Sequence, residues 1–213
     1  MELTLPKNDI LKQLVKQLSN FFDISEADIR LLNSRMDEAL QKCEYNFGQS
    51  DNKYYRTKDG IVRFDVCHSI QWMIFLYYLS NILYSQNDGK GLCDKIYYLN
   101  KIMNGVDLFY AIELPSVFGA EHPLGTIMGR AKYGDGFFFY QGCTVGGYRD
   151  KEGNLYYPKI GSNVRMFAHS AIIGKCIVGD NAQIGAGTIV KNQDIPANSV
   201  VFGQSPNLII KRK

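Results

Sequence analysis

Three histidines, His68, His122 and His169, are the side chains of this sequence whose ordinary pKa lies near neutrality. A neutral imidazole can take a proton from an attacking hydroxyl at pH 7 and return it to a leaving group. His68 opens the apolar run SIQWMIFLYYLSNILY and reads as structural. His169 lies inside a repeating pattern, on a turn or outward face. His122 lies in EHPLGTIMG (Glu121–Gly129), and its role depends on what positions it. The five cysteines, Cys43, Cys67, Cys93, Cys143 and Cys176, include no C-x-x-C pair. An odd number of them points to free thiols in a reducing cytoplasm rather than a disulfide framework. No His or Cys cluster has metal-ligand spacing, so no metal is expected.

The element that would position such residues is a repeat. From Ile160 to Val190 an aliphatic or Met residue returns every six positions: Ile160, Met166, Ile172, Val178, Ile184 and Val190. Four residues after each of the first five stands a small or β-branched one: Val164, Ser170, Cys176, Ala182 and Thr188. A helix repeats near 3.6 and a plain strand at 2, so six fits neither. The step extends backward through Val145, Phe139 and Tyr133, with Gly146–Lys159 as an interrupting loop. A fixed period means stacked units. Each hexad reads as a short strand and a turn, with three hexads per triangular coil. Both residue series point inward, and Gly161, Gly179 and Gly185 sit where a side chain would clash. Cys143 occupies an inward small position, so packing explains it better than thiol chemistry.

Before residue 105 the pattern is helical. Ile10, Leu11, Leu14, Val15, Leu18 and Phe21 make one stripe. Ser25-Glu26-Ala27-Asp28 resembles a capping box, continued by Ile29, Leu32, Met36 and Leu40. Gly48–Phe64 reads as a loop, Ser69–Tyr84 as a third helix and Leu92–Met103 as a fourth. Ser69–Tyr84 is shorter than the roughly 20 residues of a membrane span and carries Gln71, Ser80 and Asn81. The N-terminus has no apolar signal core. The formal charge of +3 is too small to imply a nucleic-acid partner. The expected class is α+β: a helical domain over 1–105, then a β-solenoid over 106–213, in the cytoplasm.

The second half resembles the hexapeptide-repeat acyltransferases, which fold as left-handed parallel β-helices, and the whole layout resembles serine acetyltransferase. The resemblance rests on EHPLGTIMG, FYQGCTVGG (Phe139–Gly147), PKIG (Pro158–Gly161) and QIGAGTIV (Gln183–Val190). It implies acetyl-CoA as co-substrate and His122 as general base. It makes Asp107, fifteen residues earlier, the carboxylate that orients His122. It places an oxyanion donor near Gly146-Gly147 and coenzyme A along Gly147, Ala168, Ala186 and Gly203, with Lys191 a candidate for the phosphates. It further implies a homotrimer, and a hexamer if the helical domains pair.

The departures fall in the expected acceptor pocket. Serine acetyltransferases carry an Arg-His pair just before PKI, and this chain has Tyr156-Tyr157 there. A neutral aromatic pair cannot make the bidentate contact that guanidinium offers a carboxylate. It suits a sugar ring. Glu121 stands where the family has aspartate. The reading is therefore an O-acetyltransferase whose acceptor is a saccharide hydroxyl, as in polysaccharide O-acetylation, ahead of L-serine and then of a sugar amine. If serine is the acceptor, Arg149 or Arg165 must supply the carboxylate contact. A non-catalytic β-helix scaffold is the reading from another class.

Overall fold

Ser25 begins a helix by reciprocal capping. In the computed structural model, which describes residues 1–213, its Oγ accepts from the Asp28 amide at 3.1 Å and its own amide donates to Asp28 Oδ2 at 3.0 Å. Two orphan donors are satisfied at once. The helices are α1 (Lys7–Ser19), α2 (Glu26–Gly48), α3 (Ser69–Ser85) and α4 (Lys90–Asn104). Ile10, Leu14 and Leu18 recur at four-residue steps on the buried face of α1. Phe21, expected on that stripe, lies past the end of α1 and is 55% exposed, because the helical period stops at Ser19. α3 is buried nearly all round, which explains its uniform apolarity. His68 caps it, its Nδ1 accepting from the Gln71 amide at 3.4 Å. Gly48–Phe64 is not only loop: Arg63–Phe64 pairs in parallel with Glu2–Leu3. Phe64 is wholly buried, 5.5 Å from Phe75 and 6.3 Å from Phe47 between ring centroids.

Two compact units divide at Asn104/Gly105. The second is a left-handed parallel β-helix. Its first face stacks Val106–Leu108, Thr126–Met128, Thr144–Gly146, Ala171–Ile173 and Ile189–Lys191. The second stacks Phe118–Ala120, Phe137–Phe139, Arg165–Met166 and Gln183–Ile184, topped by Ser199–Gln204. The third stacks Lys132–Tyr133, Lys159–Ile160 and Ile177–Val178. Ser199–Gln204 crosses from the second face, where Val201 pairs Ile184, onto the first, where Gln204 pairs Ile189. It then returns as the antiparallel strand Asn207–Arg212.

Both inward series are buried as their spacing requires. Met166, Ile172, Ile184, Val190, Val164, Ser170 and Ala182 have no exposed surface. Register makes the columns: Val145 pairs Ile172 and Ile172 pairs Val190, one coil apart each time. Corners need one residue with positive φ, and short polar side chains tolerate it. Asn163, His169, Asn181 and Asn198 have φ of 55°, 59°, 59° and 53°. The corner asparagines also bond upward, Asn163 to Asn181 at 3.2 Å and Asn181 to Asn198 at 3.0 Å. His169 is thus a corner residue of the repeat.

Candidate functional site

The corner joining the second face to the first is built from residues in the left-handed region, one per rung. Gly125, Gly142, His169 and Gly187 have φ of 73°, 63°, 59° and 70°. Their amides bond to the rung beneath: Gly125 to Gly105, Gly142 to Leu124, His169 to Gln141 and Gly187 to Ala168, at 2.8–2.9 Å. Gly203, φ 91°, crosses the same corner on the last rung. His122 stands near the foot of this edge. Its own φ is 49°, and its carbonyl accepts from the Leu124 amide at 2.7 Å, a tight turn that throws the imidazole outward. The side chain is 79% exposed. Glu121 Oε1 lies 4.0 Å from His122 Nε2, inside Coulomb reach and outside hydrogen-bond distance.

Asp107 sits one rung lower. Strand alternation buries Val106 and Leu108 and turns Asp107 outward on the first face, in register with Ile127. His122 precedes the corner and Asp107 follows it, so the two flank one edge from adjacent rungs. Ala168, half-buried, and Ala186, exposed, lie higher on the same edge, below Gly203. Cys143 points inside, its thiol donating to the Phe167 carbonyl at 3.2 Å, which fits packing.

The second face adds residues that the sequence reading did not assemble. Glu121, Tyr140 and Phe167 form one outward column, since their amides bond to Phe139, Met166 and Ile184 on successive rungs. Tyr140 stacks on Phe167 at 5.4 Å and 11°. Beside that column Arg165 pairs in register with Phe138 and lays its guanidinium over the Phe138 ring, 4.7 Å from the centroid. Burial pushes the Tyr140 phenol pKa up, the Glu121 carboxylate adds to the rise, and the Arg165 guanidinium opposes it. Tyr140 therefore stands between Glu121 and Arg165. The six-residue phase could have found this column, but loops of unequal length separate its members.

The remaining expected residues gather at the other edge of the first face, about 10 Å away across a three-residue strand. Gly146 ends its strand and its carbonyl accepts from Gly174 at 2.9 Å. Gly147 must be glycine there: a Cβ would lie 2.8 Å from the Tyr157 ring. The loop beyond is a hairpin pairing Tyr148–Arg149 with Leu155–Tyr156. Asp150 holds its turn, accepting from the Asn154 amide at 2.7 Å, and its carboxylate facing the Tyr156 hydroxyl holds that phenol above the usual range. Lysines pin the hairpin down: Lys175 lies over Tyr156 at 5.3 Å and Lys191 over Tyr148 at 4.8 Å. Arg149 donates to the Gly153 carbonyl within the loop. So the structure collects His122, Glu121, Asp107, Ala168, Ala186 and Gly203 on one edge, and Gly146, Gly147, Tyr156, Tyr157 and Lys191 on or beside the other. No three His, Cys, Asp or Glu side chains converge to hold a metal ion, and no helix is long and apolar enough to cross a membrane.

Comparison with known proteins gives a consistent direction. No family model matches the sequence. A serine acetyltransferase of Synechococcus elongatus is 31% identical over 116 residues, 54% of this chain and 46% of that protein. One from Staphylococcus epidermidis is 31% identical over 116 residues, 53% of its length. The chain thus matches about half the length of these curated relatives. Among solved structures, Neisseria gonorrhoeae serine acetyltransferase superposes with a TM-score of 0.70 at 22% identity, over 98% of this chain and 80% of that one. The Brucella abortus serine acetyltransferase in complex with coenzyme A gives 0.71 at 20% identity, over 99% and 83%. Over half its length in sequence, and over nearly all of it in fold, this chain is similar to the serine acetyltransferases, hexapeptide-repeat proteins of the left-handed β-helix type.

Proposed function

We propose that the chain transfers an acetyl group from acetyl-CoA to the hydroxyl of a small acceptor, with His122 as general base. One observation carries this reading: an exposed imidazole, with Glu121 at 4.0 Å, stands near the foot of a continuous edge on a fold whose curated relatives are serine acetyltransferases. His122 takes the acceptor proton as its oxygen attacks the thioester carbonyl. The tetrahedral adduct then collapses, and the departing thiolate of coenzyme A takes the proton back. Asp107 and Glu121 stabilise the imidazolium formed between the two steps. The edge above His122 rises four rungs to Gly203, about 19 Å at the usual strand spacing. The pantetheine arm lies along it past Ala168 and Ala186, and Lys191, which sits over Tyr148 at the other edge of the first face, meets the phosphates where a second copy brings that edge alongside.

A homotrimer fits the separation of the two edges. One copy's His122 edge would then face the next copy's Gly147–Tyr157 edge, where a backbone N–H near Gly146-Gly147 can receive the oxyanion. The named relatives favour L-serine as acceptor over the saccharide that Tyr156 and Tyr157 suggested. The saccharide remains a second reading on those two residues alone. Thiol release from acetyl-CoA, followed with a chromogenic thiol reagent against L-serine and a saccharide panel, tests the proposal. His122→Ala should lower acceptor-dependent release by roughly 10²- to 10⁴-fold while coenzyme A still binds. Undiminished release in His122→Ala would overturn it.

A further inference from the structure

Resting on the acetyltransferase reading, we propose that His169 binds the acyl donor: its imidazole hydrogen-bonds the amide nearest the sulfur of coenzyme A and so seats the thioester beside His122. Three observations lead there. First, two rungs of equal length stand one above the other, because Met166 pairs Ile184 and Ala171 pairs Ile189. Phe167-Ala168-His169 therefore lies directly beneath Gly185-Ala186-Gly187 on the candidate edge. The upper rung has no side chain larger than a methyl there, whereas the lower one has a wall on each side of Ala168. Second, both walls drop to the rung below. The Phe167 ring stacks on Tyr140 at 5.4 Å and 11°. The His169 ring lies against Gly142, where a Cβ would meet Nδ1 at 2.2 Å and Cε1 at 2.7 Å. Third, His169 takes a left-handed corner without the bonds that support other side chains in that conformation. Its φ is 59°, and Gly125, Gly142 and Gly187 fill the other rungs of this corner. Asn163, Asn181 and Asn198, at their own corner, bond to one another from rung to rung at 3.0–3.2 Å. His169 is exposed, and no hydrogen bond or ion pair within the chain engages its ring. A strained, unpartnered polar side chain in a line of glycines is placed for a ligand.

The height of the ring fits one part of the donor. The reacting carbon lies at His122, whose tight turn runs into Gly125. Gly142 stacks on Gly125, its Cα 4.0 Å from the position of a Gly125 Cβ. The His169 ring thus sits on the first rung above that turn. In an extended pantetheine arm the first amide nitrogen lies about 5 Å from the thioester carbon, which is one rung. A neutral imidazole carries one donor and one acceptor nitrogen, and a secondary amide offers one of each. Nδ1 and Cε1 are the ring atoms nearest Gly142, so Nε2 is the nitrogen left to face the arm. A glycine at this corner, as at Gly187, would leave the amide to water.

The test is titration calorimetry on the full chain with coenzyme A and with adenosine 3′,5′-bisphosphate, which keeps the nucleotide and lacks the arm. In the unmodified chain coenzyme A should bind more tightly than the bisphosphate. Equal affinities would overturn the proposal, and that comparison does not depend on any variant folding. His169→Gly copies the Gly187 corner and removes the left-handed strain, so it should not lower the thermal midpoint. It should weaken coenzyme A by about three- to tenfold, the range of one neutral hydrogen bond, and leave the bisphosphate unchanged. In steady-state thiol release it should raise KM for acetyl-CoA by a similar factor and leave KM for the acceptor as it was. Unchanged coenzyme A affinity in His169→Gly would sink the His169 assignment and leave acetyl transfer standing. So would equal weakening of both ligands, which marks a structural role. An unmodified chain that binds neither ligand would overturn the acetyltransferase reading itself, and this proposal with it.

Discussion

Gly179 and Gly187 look alike in the sequence, each a glycine in the repeat, yet the structure requires them for different reasons. At Gly179 the backbone has an ordinary φ, but a Cβ would sit 2.4 Å from the Ala197 amide nitrogen and 2.7 Å from its Cα. No rotamer relieves backbone against backbone. Restoring ordinary contact would part the rungs by about an ångström. That would break the bond from the Gly179 amide to the Ile195 carbonyl, now 2.8 Å. Losing one or two such bonds, with the overpacking strain, costs about 2–4 kcal/mol. At Gly187 nothing lies within 4 Å of a Cβ, but φ is 70°. Alanine there pays only the left-handed strain, about 1–2 kcal/mol. Asparagine should recover most of that, as Asn163, Asn181 and Asn198 occupy equivalent corners. Native-state hydrogen exchange read by mass spectrometry on peptides spanning 177–201 measures these costs without interference from the helical unit. Gly179→Ala and Gly179→Asn should both raise exchange by roughly thirty- to a thousandfold, at 1.4 kcal/mol per decade. Gly187→Ala should raise it by roughly five- to thirtyfold, and Gly187→Asn should raise it little. If asparagine rescues position 179, or fails at 187, the account of the corners is wrong.

Two further outcomes concern the helical unit. Ser25→Ala removes the Oγ acceptor of the Asp28 amide and should cost about 1 kcal/mol in the thermal unfolding of that unit, with Ser25→Asn close to neutral. Burial lowers the pKa of His68 below its ordinary 6.5, with the nearby Asp65 charge opposing. Below pH 6.5 the unfolded chain therefore binds a proton that the folded chain does not, so stability should fall as pH falls until the folded pKa is reached. His68→Asn keeps a capping acceptor and removes the titration; denaturant midpoints across pH 5–7.5 should show the slope in the parent and a flatter line in the variant.

Much of this was legible in the sequence because a repeat writes its geometry in one dimension. The six-residue phase named the inward columns, from Ile160 to Val190 and from Val164 to Thr188, since each hexad meets the same neighbours as the last. The capping box at Ser25 was legible because its partners are three residues apart. Phe21 and Phe64 were misread because burial at a helix end or in a polar loop depends on what packs there, which no local period encodes.

The site divides along the same line. His122 and Asp107 were named by resemblance, from one matching segment and the fifteen residues that separate them. That Glu121 and Tyr140 share the column beside His122, with Arg165 in register with Phe138 on the neighbouring one, could not be named that way, because the loops between their rungs differ in length and only the hydrogen-bonded register aligns them. The resemblance, rather than any spacing, placed Tyr156 and Tyr157 in an acceptor pocket with His122. Tertiary structure set them at the opposite edge of one face, because a three-residue strand runs straight between corners and holds those corners a strand's length apart.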